Sequence, residues 1–433
     1  MSFLVAGTLQ VAAQLADAQD SLGRKGKYSI QGLRVALILS SPGASAATVA
    51  ALDGVFQALG FENCKKREVS VQSFHEELIL FREQLDAHGS PMGCALVALV
   101  APSRQLRQPQ LLIQELSHCK TLRGCPKVFL LLSSGSGDAQ EPGDFLTGLG
   151  EICGRCPHWS LLQLLTEPDP GPSAQYDLCG ARAALFLAVT RDRPGTQHDV
   201  AALGDLCQAL GFKVTLRMDP TAQAFQEELA QFQERLDTHR VPVSCALVAL
   251  MAHGGPRGQL LGADGQEVQP EVLVQELSCC RVLKGHPKIF LLQACRGGKR
   301  DPGVGPTALP WYWRWLRAPP TIPTQADVLQ VYVNTQDSLS QDSTSGRCDH
   351  ADILTIYAAT EGCVAYRDEK GSDFIQTLVD VVRAKPGGDI LDLLTEVNRR
   401  VCELDVLGPD CNDPRKACLE IRSSLRRRLC LQA

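Results

Sequence analysis

Short apolar runs alternate with amphipathic stretches through the second half of the chain. Ala183–Val189, Cys245–Ala252, Lys288–Cys295 and Ile353–Ala359 are nearly continuous apolar runs of strand length. Between and after them, His198–Leu210, Phe225–Leu236, Glu271–Ser278, Asp373–Ala384 and Ile390–Glu403 space their apolar residues at helical intervals. A strand apolar on both faces must be covered on both. The alternation therefore predicts an α/β fold, a mainly parallel sheet sandwiched by helices. Such sheets hold ligands beyond the carboxyl ends of their strands, so the residues just after each run are the ones to inspect.

The pattern occurs twice. Cys94-Ala95-Leu96-Val97-Ala98-Leu99-Val100 returns as Cys245-Ala246-Leu247-Val248-Ala249-Leu250-Met251. Pro126-Lys127-Val128-Phe129-Leu130-Leu131 returns as Pro287-Lys288-Ile289-Phe290-Leu291-Leu292, and Gln114–Ser117 as Gln275–Ser278. Asp144-Phe145 and Leu164–Glu167 match Asp373-Phe374 and Leu393–Glu396 at one common spacing. Residues 28–167 and 176–396 thus read as tandem copies of one unit, the first having lost its middle. A shorter echo lies inside the second copy. Ala326-Asp327-Val328-Leu329-Gln330-Val331-Tyr332 resembles Ala351-Asp352-Ile353-Leu354-Thr355-Ile356-Tyr357, and only one can fill that slot in the sheet. The expectation is the second.

Composition narrows the setting. The chain has 433 residues, 44% hydrophobic and 21% charged, with a net charge of −5. That balance gives no footprint for nucleic acid, and no apolar stretch approaches the ~20 residues of a membrane helix. Met1–Gly7 has no basic residue before its short apolar run and makes a poor signal peptide. Eighteen cysteines in a chain able to build a large core read as free thiols in a reducing, cytoplasmic setting. Cys153-Gly154-Arg155-Cys156 has no second pair at metal-binding spacing, and no metal or cofactor is expected.

The chemistry gathers at two strand ends. Gln293-Ala294-Cys295-Arg296-Gly297 closes one apolar run, and His253-Gly254-Gly255 follows another, the histidine 42 residues before the cysteine. Alone, each reads as an inert buried thiol or a satisfied core histidine. Together, each at the end of its own strand, they read as a nucleophile and its proton carrier.

These motifs resemble the caspase family of cysteine proteases. The resemblance implies cleavage of protein substrates after aspartate (P1 Asp), with Cys295 and His253 catalytic and the Gly254 and Cys295 backbone N–H groups as oxyanion donors. It implies a P1 pocket of Arg193, Gln293 and Arg367, from Arg193-Pro194-Gly195-Thr196, the Gln293 motif and Tyr366-Arg367. Proline after Arg193 departs from the small residue usual there. Two arginines converging on P1 exclude a relative specific for basic side chains. In the first copy Pro102 stands for His253, Leu132 for Gln293 and Ser134 for Cys295, so that copy is expected to be inactive.

The family pattern also sets the expected domains. They are a short segment 1–27, a degenerate caspase-like domain 28–167 and a linker 168–175. A large-subunit-like region 176–298, an intersubunit linker 299–350 and a small-subunit-like region 351–433 follow. Residues 1–27 are too short for a death-fold prodomain. Asp301, Asp337, Asp342 and Asp349 are candidate processing positions of a zymogen. Pro310–Arg317 holds three of the four tryptophans and reads either as a docking or interfacial patch or as a linker folded back on the body. A homodimer or caspase heterodimer in the cytoplasm or nucleus, acting in apoptosis or epithelial differentiation, is what the family implies. The alternative is a pseudocaspase scaffold that regulates active relatives.

Overall fold

In the computed structural model the described residues are 28, 32–102, 106, 110–133, 143–155, 164, 175–238, 241–255, 257–297, 323, 326–333, 351–361, 363–404, 406–407 and 414–432. The chain separates into two units, Met1–Leu165 with Thr324–Ser343 and Thr166–Pro323 with Thr344–Ala433.

In the first unit, β1 (Leu33–Ser40), α1 (Ala46–Ala58), β2 (Glu62–Lys66), α2 (Phe74–His88), β3 (Met92–Ala101), α3 (Gln110–Ser117), β4 (Lys127–Ser133) and α4 (Gly143–Arg155) follow in order. Every residue of β3 and β4 is buried. Alternate side chains feed two apolar layers, as a strand of period two requires. Val35, Leu37 and Leu39 join Phe74, Leu78, Phe81 and Leu85 of α2 on one face. Ala36 and Ile38 join Val49, Leu52 and Phe56 of α1 on the other.

The second unit is built alike, from β5 (Ala181–Ala188), α5 (Thr196–Ala209), β6 (Phe212–Met218), α6 (Ala222–Asp237), β7 (Val243–Met251), β8 (His253–Gly254), β9 (Leu260–Leu261), β10 (Glu267–Val268), α7 (Pro270–Ser278) and β11 (Lys288–Gln293). Past β12 (Val328–Val333) come β13 (Ile353–Tyr357), β14 (Arg367–Asp368), β15 (Gly371–Ser372), α8 (Asp373–Ala384), α9 (Ile390–Glu403), the short strands β16 (Val406–Leu407) and β17 (Pro414–Arg415), and β18 (Glu420–Ser423). Its main sheet runs β18-β13-β11-β7-β5-β6, with only the β13–β18 pair antiparallel. Phe225, Leu229 and Phe232 of α6 and Leu273 and Leu277 of α7 pack on Leu185, Leu187, Val248, Leu250 and Phe290. Gly204 of α5 faces Phe186, on the opposite side of β5. The predicted sandwich is therefore present.

The echoed strands occupy equivalent slots in different sheets. β13 pairs with β11 in parallel register from Ile353↔Lys288, as expected of the second copy. β12 pairs with β4 of the first unit, in the matching register from Val328↔Lys127. The stretch read as linker therefore contributes a sheet strand, because it carries the same apolar pattern and the same leading aspartate as β13.

Other details depart from the sequence reading. β6 was not anticipated, since Phe212–Met218 is an edge strand whose mixed polarity gives a weak signal. Arg426 holds the buried Asp352 carboxylate through Nε at 3.0 Å and Nη2 at 2.6 Å. Cys279 is exposed, whereas Cys280 beside it is a buried free thiol. Ser134, Cys156, Pro310–Arg317 and the aspartates at 301, 337, 342 and 349 lie outside the described residues.

Candidate active site

The second sheet delivers the predicted residues to one end. β7 stops at Met251, and after Ala252 the chain enters β8, a two-residue strand made of His253 and Gly254. β11 stops at Gln293, so Cys295 lies in the loop rather than in the strand. A Cβ on Gly254 would lie 1.6 Å from the Cys295 carbonyl oxygen and 3.0 Å from its nitrogen. The two backbones touch, and only glycine permits it. The Cys295 thiol, half-buried, donates to the Ala365 carbonyl at 3.7 Å.

His253 is half-buried, with Nε2 2.8 Å from the Arg191 carbonyl oxygen. A carbonyl only accepts, so Nε2 carries the proton. In the neutral ring Nδ1 is then the free acceptor.

Arg193 is 3% exposed and Gln293 1%. Arg193 Nη2 donates to the Gln293 carbonyl at 2.9 Å and Nη1 to Val189 at 3.3 Å. Arg193 Nε and Gln293 Oε1 are buried with no hydrogen-bond partner. Arg367, half-buried, donates through Nη2 to the Asp192 carbonyl at 3.2 Å. Burial, and next the positive charge of Arg367, push the Arg193 guanidinium down to about 10. Burial likewise lowers Arg367, while the charges of Cys295 and Asp199 act in the opposite direction. A buried and a half-buried positive charge thus share one neighbourhood with the cysteine. Pro194 is accommodated on the exposed side of the turn.

Sequence reasoning missed what holds this arrangement. Asp199, 2% exposed in the first turn of α5, accepts from the Ser372 N–H and from Gln376 Nε2, both at 2.9 Å. It ties the Arg193 loop to the hairpin bearing Arg367. Burial raises its carboxyl, against the pull of those hydrogen bonds and of Arg193. Its one sequence signal was acidity at a helix start, which does not tell a buried strut from an exposed first-turn residue. Gly195, at φ +80°, would strike the Asp368 carbonyl oxygen at 2.1 Å if it bore a Cβ, so the two segments meet closely. Asp192 supplies its carbonyl from the left-handed region, φ 53°, where aspartate is tolerated.

Beyond Cys295, the Arg296 guanidinium sits 4.2 Å above the Tyr357 ring and pairs with Glu420, while its N–H donates to Cys363 at 2.9 Å. Those contacts fix the cysteine loop to β13 and β18. In the first unit Leu132, at the place of Gln293, is buried in an apolar cluster, and the Pro102 position is exposed. No cluster of three or more metal-ligating side chains occurs among the described residues.

A family model described as the caspase domain matches residues 181–429. Caspase-14 of Homo sapiens is 42% identical over 273 residues, which is 62% of this chain and 100% of the relative. Caspase-14 of Mus musculus is 40% identical over 271 residues, 62% of this chain and 98% of the relative. A crystal structure of caspase-1 from Spodoptera frugiperda aligns with 61% of this chain and 98% of its own, with a TM-score of 0.47 and 24% identity.

Proposed function

Because the chain belongs to the caspase-domain family, we propose that it is a cysteine endopeptidase that cuts proteins after aspartate. The observation that carries this reading is the pair of guanidiniums near Cys295, Arg193 buried and Arg367 half-buried, with Arg193 Nε and Gln293 Oε1 unpartnered. Buried polar atoms are nearly always paired, and like charges at close quarters raise each other's energy. An aspartate carboxylate entering the pocket gives Arg193 Nε the acceptor it lacks and relieves the repulsion, while Gln293 Oε1, an acceptor, is left for a substrate N–H. The carboxylate supplies acceptors to the two forks and neutralises their repulsion. A lysine or arginine side chain would worsen it.

In this reading the Cys295 sulfur, as thiolate, attacks the scissile carbonyl carbon, forming a C–S bond and a tetrahedral oxyanion. The Cys295 and Gly254 N–H groups stabilise that oxyanion. Collapse breaks the C–N bond, and protonated His253 gives its Nδ1 proton to the departing amine. Water then attacks the thioester, its proton passing to Nδ1, and the C–S bond breaks to restore the sulfur. The Arg191 carbonyl orients the ring throughout.

The first unit is non-catalytic, since a proline in place of His253 can carry no proton. β18 is the edge of the second unit's sheet and is the surface through which a homodimer or caspase heterodimer would form. The protein acts in the cytoplasm, as a zymogen processed in its linker.

The test is turnover of an Asp-P1 fluorogenic peptide beside a matched Asn-P1 peptide, by wild type and Cys295→Ala, in plain buffer and in a kosmotropic salt. Turnover of the Asp peptide alone, abolished by Cys295→Ala, is expected. Folded, linker-cleaved protein that is silent in both buffers refutes the enzyme. That result would favour the scaffold reading, whose own observation is the first unit, folded with Leu132 buried at the glutamine position.

A further inference from the structure

β4 of the first unit is buried along its whole length, with Val128, Leu130 and Leu132 in one apolar layer and Phe129 and Leu131 in the other. A strand so placed needs a hydrogen-bonded neighbour on each side. β3 provides one, and β12, drawn from the stretch between the two parts of the second unit, provides the other. Val328 packs into one layer and Leu329 into the other, so β12 covers both faces of the sheet edge.

The seat is specific. The Lys127 N–H donates to the Asp327 carbonyl at 2.8 Å, and the Tyr28 hydroxyl to Asp327 Oδ1 at 2.6 Å. The second unit seats β13 in the same way. The Lys288 N–H donates to the Asp352 carbonyl at 2.9 Å, and the Tyr176 hydroxyl to Asp352 Oδ1 at 2.6 Å. Both aspartates have φ 63°. Thus β12 is held by the same lysine, tyrosine and aspartate contacts that hold a strand integral to the second unit.

We infer that the first unit is a docking module for segment 326–333 of this chain, and that through it the unit retains whichever fragment carries that segment once the surrounding linker is cut. The inference does not rest on the catalytic reading. Its consequence is that cuts on the two sides of β12 are not equivalent. A cut before it, as at Asp301, leaves β12 on the carboxyl-terminal fragment, which then grips through β12 on β4 as well as through β13 on β11. A cut after it, as at Asp337, Asp342 or Asp349, leaves β12 on the amino-terminal fragment, and the carboxyl-terminal one keeps a single attachment. A second attachment in one molecule acts at millimolar effective concentration and strengthens retention by ~10²–10⁴-fold.

The experiment uses the full chain carrying Cys295→Ala, which prevents self-cleavage. A recognition sequence for a site-specific protease is inserted after residue 305 in one version and after residue 342 in the other. After complete cleavage, verified by mass, release of the carboxyl-terminal fragment is followed by gel filtration across a urea series. The fragment from the earlier cut should leave at least ~10²-fold more slowly at matched urea. Leu329→Pro, which breaks the strand, should erase the difference, and the milder Asp327→Ala should narrow it. In a chain cut at both sites, the excised peptide should co-elute with the amino-terminal fragment. Equal release from the two cuts, or a free excised peptide, overturns the inference.

Discussion

Gly254→Ala puts the contact between the loops that carry His253 and Cys295 under direct strain. The added Cβ would lie 1.6 Å from the Cys295 carbonyl oxygen, 2.5 Å from its carbonyl carbon and 3.0 Å from its nitrogen. Ordinary van der Waals contact begins near 3.4 Å, so the loops must part by about 1.8 Å. All three atoms are backbone, and no rotamer change can relieve the clash. A displacement of about 1 Å at a reacting group is worth on the order of 10² in rate. We therefore expect kcat/KM on an Asp-P1 peptide to fall by at least ~10²-fold, about 2.7 kcal/mol at 1.36 kcal/mol per decade. Alkylation of Cys295 by iodoacetamide should change with it, a readout that needs no turnover. A urea melt would confirm that the variant is folded. If Gly254→Ala keeps both rates within about threefold of wild type, the close approach is not required and the reasoning fails.

Two further outcomes follow from buried groups elsewhere in the second unit and its duplicate. Burial alone would raise the Asp352 carboxyl, but hydrogen bonds from Arg426 and Tyr176 outweigh it and hold the group below its ordinary value. The stability it contributes is full above the unfolded value of about 3.9 and lost as pH falls through the lower folded value. Asp352→Asn should therefore cost about 1–3 kcal/mol in urea melts at pH 7 and progressively less toward pH 2.5. A constant deficit would refute the ion pair's role. Burial also pushes the thiols of Cys94, Cys207 and Cys245 up to about 12. At pH 8 their thiolate fraction is on the order of 10³ lower than that of an unfolded cysteine, so mass spectrometry should find them unlabelled in native protein and labelled in urea. Labelling at the unfolded rate would contradict the packing.

The elements most legible in sequence were those buried on both faces. β5, β7, β11 and β13 write themselves as apolar runs because polar residues are few in them and fall mostly at the ends. The meeting of the His253 and Cys295 loops was legible because each residue follows such a run, and the run's end fixes where the side chain can go. Edges were harder. β6 mixes Lys213, Thr215 and Arg217 into a strand with one half-open side, and its pattern resembles a loop. Asp199 was missed because its importance comes from Ser372 and Gln376, over 170 residues away in sequence. β12 was recognised as a strand written twice, but its destination depends on the apolar edge of β4, which no local pattern reveals.

That destination also sets a timetable. β4 ends at residue 133 and its neighbour begins at 328, a gap of 194 residues. At a synthesis rate of about 5–20 residues per second, the ribosome takes roughly 10–40 s to deliver the missing strand. Throughout that interval the nascent first unit presents an apolar, unpaired strand edge, the kind of surface that attracts other chains and chaperones. Although it is made before its sister, it waits for the whole of the sister's large-subunit-like region to emerge before its own sheet can close.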